Sequence, residues 1–151
     1  MSYLIDEINV QEYPAVVEVW EASVRATHDF LKEEDIKFFK PLILNEYLSA
    51  VDLRGVRDQK KAIIAFLGVA ENNLEMLFIH PDYRGKGIGK MMLDYAVEKL
   101  QVEKVDVNEQ NAQALGFYEH CGFKVVKRSE VDGLGKPYPV LHMALEKSRN
   151  P

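Results

Sequence analysis

One segment limits this chain more than any other. His80-Pro81-Asp82-Tyr83-Arg84-Gly85-Lys86-Gly87-Ile88-Gly89-Lys90 sets three alternate glycines between an apolar run ending at Ile79 and a stretch where Ile88, Met91, Met92, Tyr95 and Ala96 recur at helical spacing. A strand must turn into a helix there through a loop nearly free of side chains. Its backbone N–H groups stay open, the helix start adds a partial positive charge, and Arg84, Lys86 and Lys90 surround it with cations. Such a loop suits an anion of the pyrophosphate kind. The commoner phosphate loops fail on spacing. A Walker A loop needs four residues before its Gly-Lys-Ser/Thr end, whereas Lys86, Gly87 and Ile88 alone separate Gly85 from Gly89, and Met91 follows Lys90. A dinucleotide fingerprint begun at Gly85 or Gly87 would need its third glycine where Lys90 or Met92 stands. Taken by itself a glycine loop is more often a tight turn with a solvated basic face, so the rest of the chain has to decide.

Around that loop the periodicity changes several times. After a short opening strand, Val16, Val17, Trp20 and Val24 predict a first helix over Glu12 to Thr27, with Pro14 tolerable in its first turn. Phe38, Phe39, Leu42, Ile43 and Tyr47 predict a second helix, which Pro41 should kink or split. From Val51 to Ile79, apolar runs broken at Asp58-Gln59 and Asn72-Asn73 read as three strands. After the helix that follows the loop, Val105 and Val107 alternate as a short strand, and Ala114, Phe117, Tyr118 and Cys121 make a helix ending at Gly122. Phe123 to Glu130 and Tyr138 to Leu145 close the chain as paired strands. The pattern is a mixed α/β domain, in which ligands favour the carboxyl ends of central strands.

The 151 residues suit one domain over 1–151, with tails only in the first few residues and Ser148 to Pro151. A formal charge of -5 argues against a nucleic-acid or anionic-membrane partner, so any anion site is local. Cys121 is the single cysteine, which excludes an internal disulfide and a cysteine zinc site, and His80, His120 and His142 are too scattered to imply a metal. With no basic-then-apolar start and no membrane-length apolar run, the expectation is a cytoplasmic protein.

A second constellation raises the odds on the loop. Asn111-Ala112-Gln113-Ala114-Leu115-Gly116-Phe117-Tyr118-Glu119-His120-Cys121-Gly122-Phe123 resembles the Asn-x-x-Ala-x-x-x-Tyr-x-x-x-Gly-Phe segment of the GNAT superfamily of N-acetyltransferases. Arg84, Gly87 and Gly89 match that superfamily's Arg/Gln-x-x-Gly-x-Gly/Ala loop. The strings Ala26 to Leu31, Asn108 to Asn111, Arg128 to Asp132 and Gly135 to Pro139 are similar to the small bacterial YjaB-type branch.

The resemblance implies a mostly antiparallel sheet of about seven strands with four helices, splayed at its centre between the strands ending near Ile79 and Asn108. Acetyl-CoA would lie with its pantetheine in that split and its acetyl group would pass to a primary amine in a ternary complex. Backbone groups of Leu77, Phe78 and Ile79 would pair with the pantetheine and help to hold the carbonyl oxygen. The loop Arg84, Gly85, Lys86, Gly87, Ile88, Gly89 and Lys90 would take the pyrophosphate. Tyr118 matches the tyrosine that protonates the departing sulfur, with an ordinary phenol pKa sufficing. Asn111 either contacts the cofactor or caps its helix. Glu75, placed by alternation on the face of Leu77, stands where relatives carry a group that takes the amine proton. His28 and Tyr138 would line the acceptor pocket. The acceptor is a small-molecule amine or a peptide or protein amine, and Glu33-Glu34-Asp35 either favours a cation there or starts a helix. The oligomer is a monomer or homodimer. A non-catalytic acyl-CoA-binding or sensing module is the alternative, which would keep the loop and not need Tyr118.

Overall fold

The computed structural model describes residues 3–146, so the tail expected at Ser148 to Pro151 lies outside the described residues. Its strands are β1 (Leu4–Glu7), β2 (Asp52–Arg57), β3 (Ile63–Ala70), β4 (Asn73–Ile79), β5 (Lys104–Asn108), β6 (Phe123–Ser129) and β7 (Val140–Leu145). Its helices are α1 (Tyr13–Thr27), α2 (Glu33–Leu42), α3 (Ile88–Lys99) and α4 (Ala112–His120). The expected order of elements holds, and the differences lie at their ends. A 3₁₀ turn at Val10–Glu12 precedes α1, which starts at Tyr13 with Pro14 in its first turn. The closing strands stop at Ser129 and begin at Val140, each shorter than the apolar pattern implies.

Pro41 accounts for the largest departure. The second helix begins earlier than the apolar period indicates, at Glu33, because Glu33, Glu34 and Asp35 form a first turn whose acidic side chains face the positive end of the helix dipole. Near its end Pro41 supplies no N–H and presses on the preceding turn. Beyond it the chain widens into a π-helical turn, Ile43–Tyr47, and then a 3₁₀ turn, Leu48–Ala50. What the apolar spacing marks as one helix is therefore three coils of different pitch.

The strands form one sheet in the order β1-β2-β3-β4-β5-β7-β6. Every neighbouring pair is antiparallel except β4 and β5, which are parallel and joined through α3, as a parallel pair requires. Strand alternation feeds two cores. Val56, Ala65, Leu67, Leu74 and Val105 pack with Met92, Leu93 and Ala96 of α3, while Leu53 and Phe66 pack with Val16, Trp20 and Ile36 of α1 and α2. Burial on both faces fixes the register, since a slip of one residue would exchange the two sets. Among the described residues no helix is long and apolar enough to cross a membrane.

Candidate active site

β4 and β5 meet only at their starts. Asn73 pairs with Lys104 and Leu74 with Val105, and past that point the strands part. The bend has a cause in β4. Gly68 pairs with Met76 and Val69 with Leu74, so Glu75 is an extra residue with no partner in β3. Such a β-bulge kinks its strand and increases the local twist. Gly68 is needed beside it, because a Cβ there would lie 2.7 Å from Val51 Cγ2 and 3.0 Å from Met76 Cε. The result is a V-shaped cleft of about 490 Å³ bounded by Leu74 to Ile79, Val105 to Asn108, the glycine loop and α4. It is the splay that the resemblance implies.

The bulge also corrects one expectation. Alternation puts Glu75 on the face of Leu77, but the extra residue interrupts the count: Leu74, Leu77 and Ile79 pack in the core beneath α3, whereas Met76 and Phe78 pack in the core beneath α1. Glu75 borders both the cleft and a second chamber on the α1 side.

At the cleft mouth, Gly85 (φ +74) and Gly87 (φ +80) adopt the left-handed conformation, and a Cβ at either would meet nothing within 4 Å. Backbone shape, not crowding, therefore demands glycine. Gly87 caps α3 without a side chain, which leaves the first N–H groups of a twelve-residue helix open. The cations are less free than the sequence implies. Lys90 is paired with Asp94 one turn on, and the Arg84 guanidinium donates to Gln113 Oε1, which ties the loop to α4. The loop still fits an anion through its N–H groups, with Arg84 and Lys86 beside them.

Tyr118 lines the cleft from α4, and its ring is held edge-on by Phe117 and Phe123. It is buried, yet among the described residues no fully buried side-chain polar atom lacks a partner and no group bonds its hydroxyl, so the O–H opens onto the cleft. Burial pushes the phenol pKa up, which corrects the expectation of an ordinary value and keeps the proton on more firmly. Asn111 takes the capping role: its Oδ1 accepts from the Ala114 N–H, and its Nδ2 lies 3.5 Å from His28 Nε2.

Around Glu75 the electrostatics are unfavourable to charge. Partial desolvation, and then the Asp106 carboxylate, raise its pKa above the ordinary carboxylate value. Asp106 was missed by the sequence reading, although its place between Val105 and Val107 puts it on the opposite face. It belongs to a polar relay across three strands. His142 Nδ1 donates to Asp106 Oδ1 at 2.7 Å, and Ser129 Oγ lies 2.7 Å from His142 Nε2. Only strand register unites residues so far apart in sequence. Among the described residues no group of three or more His, Cys, Asp or Glu is placed to hold a metal.

Behind the bulge lies the second chamber, of about 200 Å³, with Trp20, Phe39, Tyr47, Phe78 and Tyr138 among its walls and Asp132 at one side. His28 borders both cavities and Tyr138 this chamber. The Tyr138 hydroxyl donates to Asp35 Oδ2, and Lys136 Nζ stands 2.9 Å from Asp35 Oδ1. Glu33 in turn pairs with Arg25. Of the acidic stretch that starts α2, these two are thus occupied in holding the fold together.

The geometry has counterparts. A profile of the Acetyltransferase (GNAT) domain matches residues 53–125. The chain is 41% identical over 133 residues to the peptidyl-lysine N-acetyltransferase YjaB of Salmonella typhimurium, across 88% of this chain and 91% of that protein. The Escherichia coli YjaB is 40% identical over 134 residues, across 89% of this chain and 90% of that protein. The solution structure of apo-form YjaB from Escherichia coli resembles the fold with a TM-score of 0.87 at 38% identity, over 98% of this chain and 100% of that one. The PaiA N-acetyltransferase from Thermoplasma acidophilum, solved in complex with coenzyme A, shares the fold with a TM-score of 0.69 at 24% identity, over 94% of this chain and 98% of that one.

Proposed function

Because this chain belongs to the GNAT family of N-acetyltransferases and moves an acetyl group to an amine, we propose that its acceptor is the side-chain amine of a peptidyl lysine, which attacks acetyl-CoA directly in the cleft. The observation that carries this reading is the bulge at Glu75, a carboxylate bordering both the cleft and the aromatic chamber. Likeness to YjaB, named for peptidyl-lysine acetylation, supports the acceptor class. A monoamine-sized chamber supports a slender arm, since about 200 Å³ is below the roughly 300–1,000 Å³ of sites that enclose drug-sized ligands.

Bound acetyl-CoA supplies the activated acetyl thioester. The N–H groups of Arg84 to Gly89 and the start of α3, at Ile88 and Lys90, hold its pyrophosphate, and the backbone of Leu77, Phe78 and Ile79 aligns the pantetheine as an added edge partner where β5 has moved away. Asn111 shapes the adjacent wall. Glu75 takes the proton of the arriving ammonium, a task its raised pKa suits, since a base closer to neutral accepts a proton more readily. Tyr118 gives its proton to the sulfur as the thiolate departs. His28 and Tyr138 bound the acceptor arm. The fold acts as one domain, and the single half-buried Cys121 suits a cytoplasmic enzyme.

The test is an acceptor series with acetyl-CoA, read as free thiol and as acetylated product. Lysine peptides should be turned over, and peptides blocked at lysine but free at the N-terminus should not. Turnover of the N-terminal amine alone would replace the lysyl reading.

A further inference from the structure

The chamber behind the bulge carries charge in an uneven way. Its walls are apolar and buried: Trp20, Val24 and Ile43 are each no more than 5% exposed. Its two carboxylates border it at Glu75, which also faces the cleft, and at Asp132, in the loop between β6 and β7. Three of the cations nearby are already matched. Lys40 pairs with Glu21 and Glu18, Arg25 with Glu21 and Glu33, and Lys136 with Asp35. Asp132 forms no ion pair among the described residues. Its Oδ1 accepts from the N–H groups of Leu134 and Lys136, which fixes the turn and leaves Oδ2 without a donor among the described residues. Asp132 is also near enough to Tyr47, another chamber wall, for its charge to raise that phenol's pKa after burial and Glu46 have done so.

We propose that Asp132 is a specificity determinant that reads a second positive charge on the acceptor, so that lysines beside an arginine or another lysine are preferred. The inference rests on the lysyl reading above. An acceptor arm lies along Trp20, Phe39 and Phe78 with its amine toward Glu75, and the chain that bears it stays outside, because the chamber encloses a side chain and not a backbone. A neighbouring cation then meets Asp132, whose charge is half-buried and unmatched. Aromatic walls favour a cationic arm in transit as well.

The experiment uses three peptides with one central lysine flanked by arginine, alanine or glutamate, assayed with the full chain and acetyl-CoA. Wild type should show the highest kcat/KM on the arginine peptide and the lowest on the glutamate peptide. Asp132→Asn keeps the Oδ1 acceptor that the turn needs and removes only the charge, so the arginine-to-alanine ratio should fall by about fivefold, the effect of a partly exposed ion pair. Raising ionic strength should erode the same ratio in wild type, a readout that needs no variant. Equal kcat/KM on the arginine and alanine peptides, or a ratio unmoved by both salt and Asp132→Asn, overturns the role of Asp132 while lysine acetylation stands. No turnover of any lysine peptide instead overturns the lysyl reading.

Discussion

His28 Nε2 stands 3.5 Å from Asn111 Nδ2, so that the end of α1 reaches the cap of α4 across the opening between β4 and β5. The donors along this line can be ordered. Asn111 Oδ1 accepts from Ala114 N–H, which leaves the amide nitrogen to donate to His28 Nε2. Thr27 Oγ1 gives its proton to the Ser23 carbonyl and so accepts from His28 Nδ1. The ring is therefore neutral with its proton on Nδ1, and burial agrees by lowering its pKa to about 4.

That arrangement predicts a pH-dependent stability. A His whose folded pKa lies below its unfolded value of 6.5 stabilises the fold fully above 6.5, and the contribution is lost as pH falls toward about 4. Between pH 7 and 5 the loss should be about 2 kcal/mol. Urea denaturation at the two pH values checks it, and His28→Gln should flatten the difference. A wild type equally stable at both would mean that the ring is solvated and the link to Asn111 is open.

The glycine loop makes a prediction about binding. Gly87→Ala adds a Cβ to open space and costs only the left-handed backbone, about 1 kcal/mol. Gly87→Asp adds a carboxylate where the helix N–H groups await the pyrophosphate, so calorimetry should find its acetyl-CoA Kd at least about tenfold weaker than that of the alanine variant. Equal affinities for the two variants would move the pyrophosphate elsewhere.

Much of this was legible in the sequence, and the rest was not for identifiable reasons. Alternate glycines before a helical period gave the loop, and the spacing from Asn111 to Tyr118 to Gly122 gave α4 with its cap. Turn residues at Asn72-Asn73 gave the meander, where Asn72 takes φ 67. The bulge escaped notice because nothing at Leu74, Glu75 or Met76 announces an unpaired residue; it exists only against the register of β3, and it decides which face Glu75 serves. The relay from Asp106 to His142 to Ser129 likewise depends on pairing between distant strands. Asp132 stands in a loop, and only the packing that gathers Trp20, Tyr47 and Tyr138 around one chamber brings it beside them.

Glu75 is expected to shape the acid side of the rate profile. It works only when ionised, and its raised pKa moves the fall in kcat/KM to a higher pH than an ordinary carboxylate would give. Glu75→Gln should lower the rate by about 10²-fold near neutrality, remove that bend, and recover as pH rises toward the amine pKa. The substitution should not unfold the protein. A carboxylate with a raised folded pKa weakens the fold above that pKa, so its removal is neutral or stabilising. An unchanged profile in the variant would pass the proton to water or to Asp106.

Tyr118 offers the most direct test of chemistry. Its ring is fixed by Phe117 and Phe123 while its hydroxyl opens on the cleft, so Tyr118→Phe keeps the packing and deletes one donor. Because burial raises the phenol pKa, the group stays protonated across the working range; it is also a weaker acid than an ordinary thiol, so the transfer has to accompany C–S cleavage, as charge builds on the sulfur. The variant should fold and bind acetyl-CoA as wild type does, while kcat drops by roughly 10²-fold. No alkaline limb from Tyr118 should appear in the wild-type profile below pH 10, since its loss of a proton lies higher. Normal turnover by the variant would assign the proton to solvent, and an acetyl-CoA affinity lost along with turnover would make Tyr118 a wall of the site and not its acid.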